Sequence, residues 1–125
     1  MIDKFDYDAA REFIQLKSER KKRKSHDLYR KAKKESEDII EVIKKNFSVK
    51  RIYQWGSILS PEHFDENSDI DIAIEGLDSV EIFFKLYGIA LEKTSFPLDL
   101  IEMEKIDILN RKSIIENGKL IYERW

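Results

Sequence analysis

The chain has 125 residues, of which 42% are hydrophobic, and this length fits one domain with a single core. It contains no cysteine, which excludes a disulfide framework and any thiolate metal site. The net charge of −2 conceals an uneven distribution, because residues 17–34 hold ten basic and two acidic side chains. No apolar run reaches the roughly 18 residues that span a bilayer and no secretory signal pattern opens the chain, so we expect a cytoplasmic protein without membrane association.

The first predicted element is a helical N-terminal extension. Residues 6–46 contain neither Gly nor Pro and are rich in residues that favour helix. Apolar residues follow helical spacing from Leu28 to Phe47, but residues 17–27 include none, so we expect two helical sections that can be continuous. We assign residues 1–38 to a basic helical extension and residues 39–125 to the main domain. The basic run indicates an anionic partner, nucleic acid included, or a homo-oligomer in which this helix pairs with another copy.

Four strands and two further helices follow in the prediction. Residues 49–55 are rich in β-forming residues and end at Gly56, and residues 68–75 alternate in polarity, so both are strands joined by a loop. Ser79 caps a helix that runs to about residue 93, and residues 98–103 form a third strand. Residues 105–117 form a helix that stops at Gly118, before a last strand at residues 119–123. This order predicts an α/β (α+β) fold with helices flanking a small mixed sheet.

Acidic residues occupy two of the predicted strands. Asp69 and Asp71 are two positions apart and therefore project from the same face of a strand. Asp99 lies between Leu98 and Leu100, where an apolar residue is usual, and it faces the same pocket if the two strands are neighbours. Carboxylates held this close repel one another, and Mg²⁺ relieves that repulsion. We therefore predict that Asp69, Asp71 and Asp99 bind metal, and three carboxylates can hold the two ions of an in-line phosphoryl transfer.

Gly56 and Ser57 directly follow the first predicted strand. A glycine lets the backbone approach a phosphate closely, and the Ser57 hydroxyl can donate to phosphate oxygens. Combined with the carboxylates, this pair predicts a site for a nucleoside triphosphate.

Three motifs stand in matching strand contexts: Trp-Gly-Ser at residues 55–57, Ser-Asp-Ile-Asp-Ile-Ala-Ile at residues 68–74, and Leu-Asp-Leu-Ile-Glu at residues 98–102. Together they resemble the minimal nucleotidyltransferases of the polymerase-beta-like superfamily. The resemblance implies that family's fold, Mg²⁺ as cofactor, and a nucleoside triphosphate as substrate, with ATP as the first candidate. It also implies that Asp69, Asp71 and Asp99 are catalytic metal ligands, that Asp99 helps to activate the acceptor hydroxyl, and that Gly56 and Ser57 hold the triphosphate.

The same resemblance implies a protein partner. Many stand-alone members are similar to antitoxins that pair with a helical HEPN-type toxin, and some transfer AMP to a toxin tyrosine. We therefore expect this chain to transfer AMP from ATP to a hydroxyl of such a partner. Two alternatives stay open. Residues 58–68 lack the Lys and Arg that the family usually has there, which would suit an antitoxin scaffold with little or no catalysis, and the basic helix would suit a nucleic-acid-binding accessory protein.

Overall fold

The computed structural model describes residues 6–124, which form one four-stranded sheet and three α-helices. In chain order the elements are α1 (Tyr7–Asn46), β1 (Arg51–Trp55), β2 (Ile70–Glu75), α2 (Val80–Leu91), β3 (Leu98–Glu102), α3 (Ile108–Asn117) and β4 (Lys119–Glu123). Short 3-10 turns occupy Gly56–Leu59, Pro61–His63 and Met103–Lys105. The predicted helices and strands are therefore present. The largest difference is the start of α3, which begins at Ile108 because the Asp107 side chain caps it by accepting the N–H of Asn110.

Helix α1 is unbroken over 40 residues, a length of about 60 Å. The two predicted sections are thus one helix, which starts after Asp6, whose side chain accepts the N–H of Ala9 at 2.9 Å. Only its C-terminal half is packed; the buried residues are Ala32, Ser36, Ile39, Ile40 and Ile43. No helix within residues 6–124 combines the length and hydropathy needed to cross a bilayer. Residues 1–5 of the predicted extension lie outside the described residues.

The sheet has the strand order β3-β2-β1-β4. Strand β1 runs antiparallel to both β2 and β4, whereas β2 and β3 are parallel. This confirms the predicted small mixed sheet. One consequence matters for the site: β1 ends where β2 and β3 begin, and we call this the carboxylate end of the sheet.

Different helices cover the two faces of the sheet. One face packs against α1 and α2 and buries three isoleucines of β2, namely Ile70, Ile72 and Ile74. On the other face Ala73 of β2 packs with Ile114 of α3. Because side chains alternate along a strand, Asp71 lies on the same face as Ala73, and Asp99 on the same face as Ile101. Both carboxylates therefore point away from α1.

A buried hydrogen bond ties α1 to the centre of the sheet. The Gln54 amide donates from Nε2 to Ser36 Oγ at 2.8 Å, and both residues are buried. Replacing Ser36 by alanine is expected to lower the free energy of unfolding by about 1–3 kcal/mol, because the amide loses its acceptor in a dry interior. Chemical denaturation measures the change. Ser18→Ala on the exposed part of the same helix is the matched control, and an equal effect of both substitutions would contradict the prediction.

Candidate active site

Asp71 and Asp99 face each other across the parallel strands β2 and β3. The register pairs them directly, with Ile70 opposite Leu98 on one side and Ile72 opposite Leu100 on the other. Adjacent strands lie about 4.8 Å apart, so the two carboxylates are close neighbours on the α3 face. Asp71 is 8% exposed, whereas Asp99 is exposed to solvent. The two strands are therefore neighbours, which is the condition for Asp99 to face the same pocket as Asp71.

The Asp71 carboxyl group is strongly perturbed. Burial raises its pKa to about 7, with further increases from the negative charges of Asp99 and Asp69. Within residues 6–124, no hydrogen bond or ion pair engages the carboxylates of Asp69, Asp71 or Asp99. No side chain in the described part of the chain therefore offsets the cost of ionising Asp71 among its neighbours, and a bound cation would do so.

Asp69 stands immediately before β2 and is exposed. The loop that leads to it is fixed by Asp65, whose side chain accepts the N–H of Asn67 at 2.8 Å and the Ser68 hydroxyl at 3.3 Å. The Ser68 hydroxyl in turn accepts the N–H of Asp65 at 3.0 Å. Local hydrogen bonds thus hold Asp69 at the carboxylate end, two residues from Asp71.

Gly56 packs directly against the Asp71 carboxylate. Its φ is +77°, a left-handed conformation that favours glycine. A Cβ at this position would lie 2.2 Å from Asp71 Oδ2, far inside van der Waals contact. A side chain is therefore excluded twice over, by the backbone conformation and by the carboxylate. The Gly-Ser and Asp-x-Asp motifs, which are separate in the sequence, meet at this contact.

Ser57 begins the segment that joins Gly56 to Asp69. Its first 3-10 turn is anchored by Ile58, which is buried, and its far end by Phe64, which is fully buried. Ser57 itself is half-buried and adjoins the Gly56–Asp71 contact. The predicted loop is therefore ordered, and its N-terminal end lies at the carboxylates. We call residues 57–68 the connecting loop.

Trp55 was not predicted to belong to this site, because an indole in a strand usually packs in a core. It pairs with Asp71 across β1 and β2, so the two side chains share one face of the sheet. The ring packs on the α3 side, but its Nε1–H is buried without a hydrogen-bond partner among residues 6–124. A buried donor without a hydrogen-bond partner is costly to the fold.

The donor set suits Mg²⁺. Asp71 and Asp99 offer hard oxygen ligands side by side, next to the exposed Asp69. Over the described range, residues 6–124, no three Asp, Glu, His or Cys side chains form a complete group that could hold a metal. Mg²⁺ is commonly held by one or two carboxylates together with water and substrate phosphates. The residues present therefore fit an ion shared with a bound triphosphate, rather than one enclosed by protein ligands.

A cleft of about 1040 Å³ lies between the basic part of α1 and the connecting loop. The Ser25 hydroxyl donates to the Phe64 carbonyl, and Lys24 lies 3.7 Å from Glu66. One wall is basic and belongs to α1, and the other belongs to the loop and carries the carboxylates of Glu62, Asp65 and Glu66. The cleft is not lined by Asp69, Asp71 or Asp99.

Comparisons with known proteins bear on the family and the fold. The family model described as "Polymerase beta, Nucleotidyltransferase" matches residues 37–125. A chain in the crystal structure of the toxin–antitoxin MntA–HepT aligns with a TM-score of 0.55 and 20% identity, over 72% of this chain and 71% of that one. A chain in a toxin–antitoxin crystal structure with AMP-PNP aligns with a TM-score of 0.60 and 22% identity, over 71% and 73%. At this identity the structures show a shared fold, and no match was found among curated proteins.

Proposed function

Because the chain belongs to the polymerase beta nucleotidyltransferase family, we propose that it transfers a nucleoside monophosphate, AMP from ATP in the first instance, to an acceptor hydroxyl. The observation that carries the proposal is the in-register pairing of Asp71 with Asp99, beside a glycine that only fits because it lacks a side chain.

Each residue of the site has a role in this proposal. Asp69, Asp71 and Asp99 would hold Mg²⁺ jointly with oxygens of the triphosphate, because the described carboxylates do not form a complete metal site by themselves. Gly56 and Ser57 would hold the triphosphate. Bound Mg²⁺ would neutralise charge on the carboxylates and on the phosphates. Gly56 keeps the backbone close enough for its neighbours' N–H groups to reach phosphate oxygens, and the Ser57 hydroxyl donates to them.

The proposed step is an in-line displacement at the α-phosphorus. The acceptor oxygen forms a new bond to phosphorus as the bond between phosphorus and the β-phosphate oxygen breaks, and pyrophosphate leaves with the electron pair. Asp99 takes the hydroxyl proton, for which its exposure to solvent and its place opposite Asp71 are suitable. Asp71, buried in the cluster, orients the phosphate side of the site.

The proposed acceptor is a hydroxyl of a partner protein, a HEPN-type toxin first, so that the chain acts as an antitoxin. Support comes from the structural neighbours, which are chains of toxin–antitoxin complexes, one of them with AMP-PNP. In the same proposal residues 39–125 are the transferase domain and residues 1–38 a basic extension. Helix α1 crosses that boundary without a break.

A second candidate is an antitoxin scaffold that binds its partner with little or no catalysis. The observation that favours it is the connection between Ser57 and Asp69, which contains no Lys or Arg to contact phosphates. A nucleic-acid accessory role through the basic part of α1 is the remaining alternative.

Calorimetric titration with ATP and GTP, with and without Mg²⁺, tests the proposal. Wild-type protein is expected to bind a triphosphate only with Mg²⁺, and the Asp69→Ala/Asp71→Ala variant to lose that binding. Asp78→Ala, which removes an exposed carboxylate outside the site, is the control that should bind normally. Failure of folded wild-type protein to bind either nucleotide would reject the stand-alone enzyme in favour of the scaffold.

A further inference from the structure

The N-terminal part of α1 adds almost no buried residue to the fold, although Lys24 at its end lies 3.7 Å from Glu66. We define the arm as residues 7–24; every arm residue is exposed except Ala10, which is half-buried. Large apolar side chains on it remain in water, with Phe13 68%, Ile14 66% and Leu16 47% exposed. The arm is about 27 Å long, and most of the stability of protein helices comes from packing of one face and not from helix propensity. Contact with a second surface would bury the exposed apolar side chains of the arm and would stabilise its helix.

The arm and its cap have three segments of different charge. Residues 6–12 carry three acidic side chains and one basic side chain, a net charge of −2. Residues 13–16 are uncharged and hold the apolar side chains. Residues 17–24 carry six basic side chains and one acidic side chain, a net charge of +5. The acidic and basic segments have similar lengths and lie symmetrically about the apolar one.

The same stretch contains one regular stripe. Positions separated alternately by three and four residues lie on one face of a helix and form the seam of a coiled coil. Here that stripe consists of Asp6, Ala9, Phe13, Leu16, Arg20 and Arg23. Ile14 lies off this stripe. The seam is thus apolar at its centre, acidic at its first position and basic at its last two.

We propose that the arm pairs antiparallel with the arm of a second copy of this chain. Antiparallel pairing about the centre of the stripe places Phe13 of each copy against Leu16 of the other. It also sets Asp6 of each copy against Arg23 of the other. A parallel pair would instead place Asp6 beside Asp6 and Arg23 beside Arg23, which repel. The pattern is therefore self-complementary in one orientation, as a two-fold interface requires.

Nucleic acid explains less of this pattern. Phosphates would engage the basic segment alone, would be repelled by the acidic segment, and would leave Phe13 and Leu16 in water. An arm pair uses all three segments. It also brings the N-terminal end of each arm towards the other copy's connecting loop, because Lys24 and Ser25 contact that loop through Glu66 and Phe64.

Sedimentation velocity of the full chain tests the association. Wild-type protein is expected to be a dimer, and Phe13→Glu a monomer with unchanged binding of Mg²⁺ and ATP. Ile14→Glu is the matched control, because it places the same charge at an equally exposed apolar position off the stripe and should remain dimeric. A monomeric wild type, or equal effects of both substitutions, would overturn the proposal. So would a wild-type monomer that binds an oligoribonucleotide with steep salt dependence.

Cysteine pairing tests the orientation, since the chain has no cysteine of its own. Antiparallel pairing places Ala9 of one copy beside Arg20 of the other. Mixing Ala9→Cys protein with Arg20→Cys protein under mild oxidation should therefore give a disulfide-linked heterodimer, and neither protein alone should cross-link efficiently. Cross-linking of Ala9→Cys with itself would indicate parallel arms, and no cross-linking in a dimeric sample would place the interface elsewhere. Either result would overturn the proposal.

Discussion

Replacing Asp71 by asparagine is expected to abolish Mg²⁺-dependent triphosphate binding and to lower nucleotidyl transfer by at least about a thousand-fold. The physical reason is that the substitution removes the negative charge of the proposed metal ligand that is the most buried of the three carboxylates. Metal stabilisation of the transition state is worth several kcal/mol, and each 1.4 kcal/mol corresponds to a factor of about ten in rate. Calorimetry and release of pyrophosphate measure the two effects.

The same substitution is expected to stabilise the metal-free protein at about pH 8, by about 2 kcal/mol. Burial and the charges of Asp99 and Asp69 raise the pKa of Asp71 to about 7, from an ordinary value of about 4. Between these values the folded protein holds a proton that the unfolded chain has released, so the free energy of unfolding falls as pH rises from about 4 to about 7. The full rise in the pKa of Asp71 would lower the free energy of unfolding by about 4 kcal/mol, and partial exposure of Asp71 to solvent reduces this cost.

Thermal unfolding as a function of pH, without metal, distinguishes these contributions. The wild type and Asp71→Asn should be equally stable near pH 4 and should diverge up to about pH 7, the variant being the more stable. Mg²⁺ with ATP should then stabilise the wild type and not the variant. Asp78→Asn is the control, and it should change stability by less than about 0.5 kcal/mol at any pH. If Asp71→Asn were less stable than the wild type at high pH, the Asp71 carboxylate would stabilise the fold and the prediction would be wrong.

The strand pattern around the carboxylates was predictable because it is local. Alternation along residues 68–75 and the unusual Asp99 between two leucines are visible in the sequence, and both strands form. The pairing of Asp71 with Asp99 could not be predicted from the strand pattern alone, because the register of β2 and β3 depends on how α2 crosses between them. The motifs predicted which residues meet, whereas only the tertiary structure gives their burial and the raised pKa of Asp71.

Features that depend on distant packing were not predictable. The stretch without apolar residues at 17–27 left the continuity of α1 open, since helix propensity is a weak guide without packing. Trp55 has no sequence signal for its position opposite Asp71, which arises from the antiparallel register of β1 and β2. The cleft between α1 and the connecting loop joins residues about 40 positions apart, so it too needed the fold.

Gly56→Ala is expected to destabilise the protein by about 3 kcal/mol and to abolish triphosphate binding. Alanine at a φ of +77° costs about 1–2 kcal/mol by itself. Its Cβ would also lie 2.2 Å from Asp71 Oδ2, so either the carboxylate or the strand must move. Gly88→Ala in α2 is the matched control: its Cβ would meet nothing within 4 Å, and the substitution should stabilise the helix by up to about 1 kcal/mol.

A double-mutant cycle separates the two parts of the Gly56→Ala cost. In an Asp71→Ala background the clashing oxygen is gone, and the remaining Cβ of residue 71 lies 3.5 Å from the new Cβ, an ordinary contact. Gly56→Ala should then cost only the backbone part, and the two substitutions should show a coupling energy of about 1–2 kcal/mol. Additive effects would mean that Gly56 is required for its backbone conformation alone. Coupling would instead show that the glycine is needed because the Asp71 carboxylate lies where a side chain would be, and this contact joins the Gly-Ser motif to the Asp-x-Asp motif.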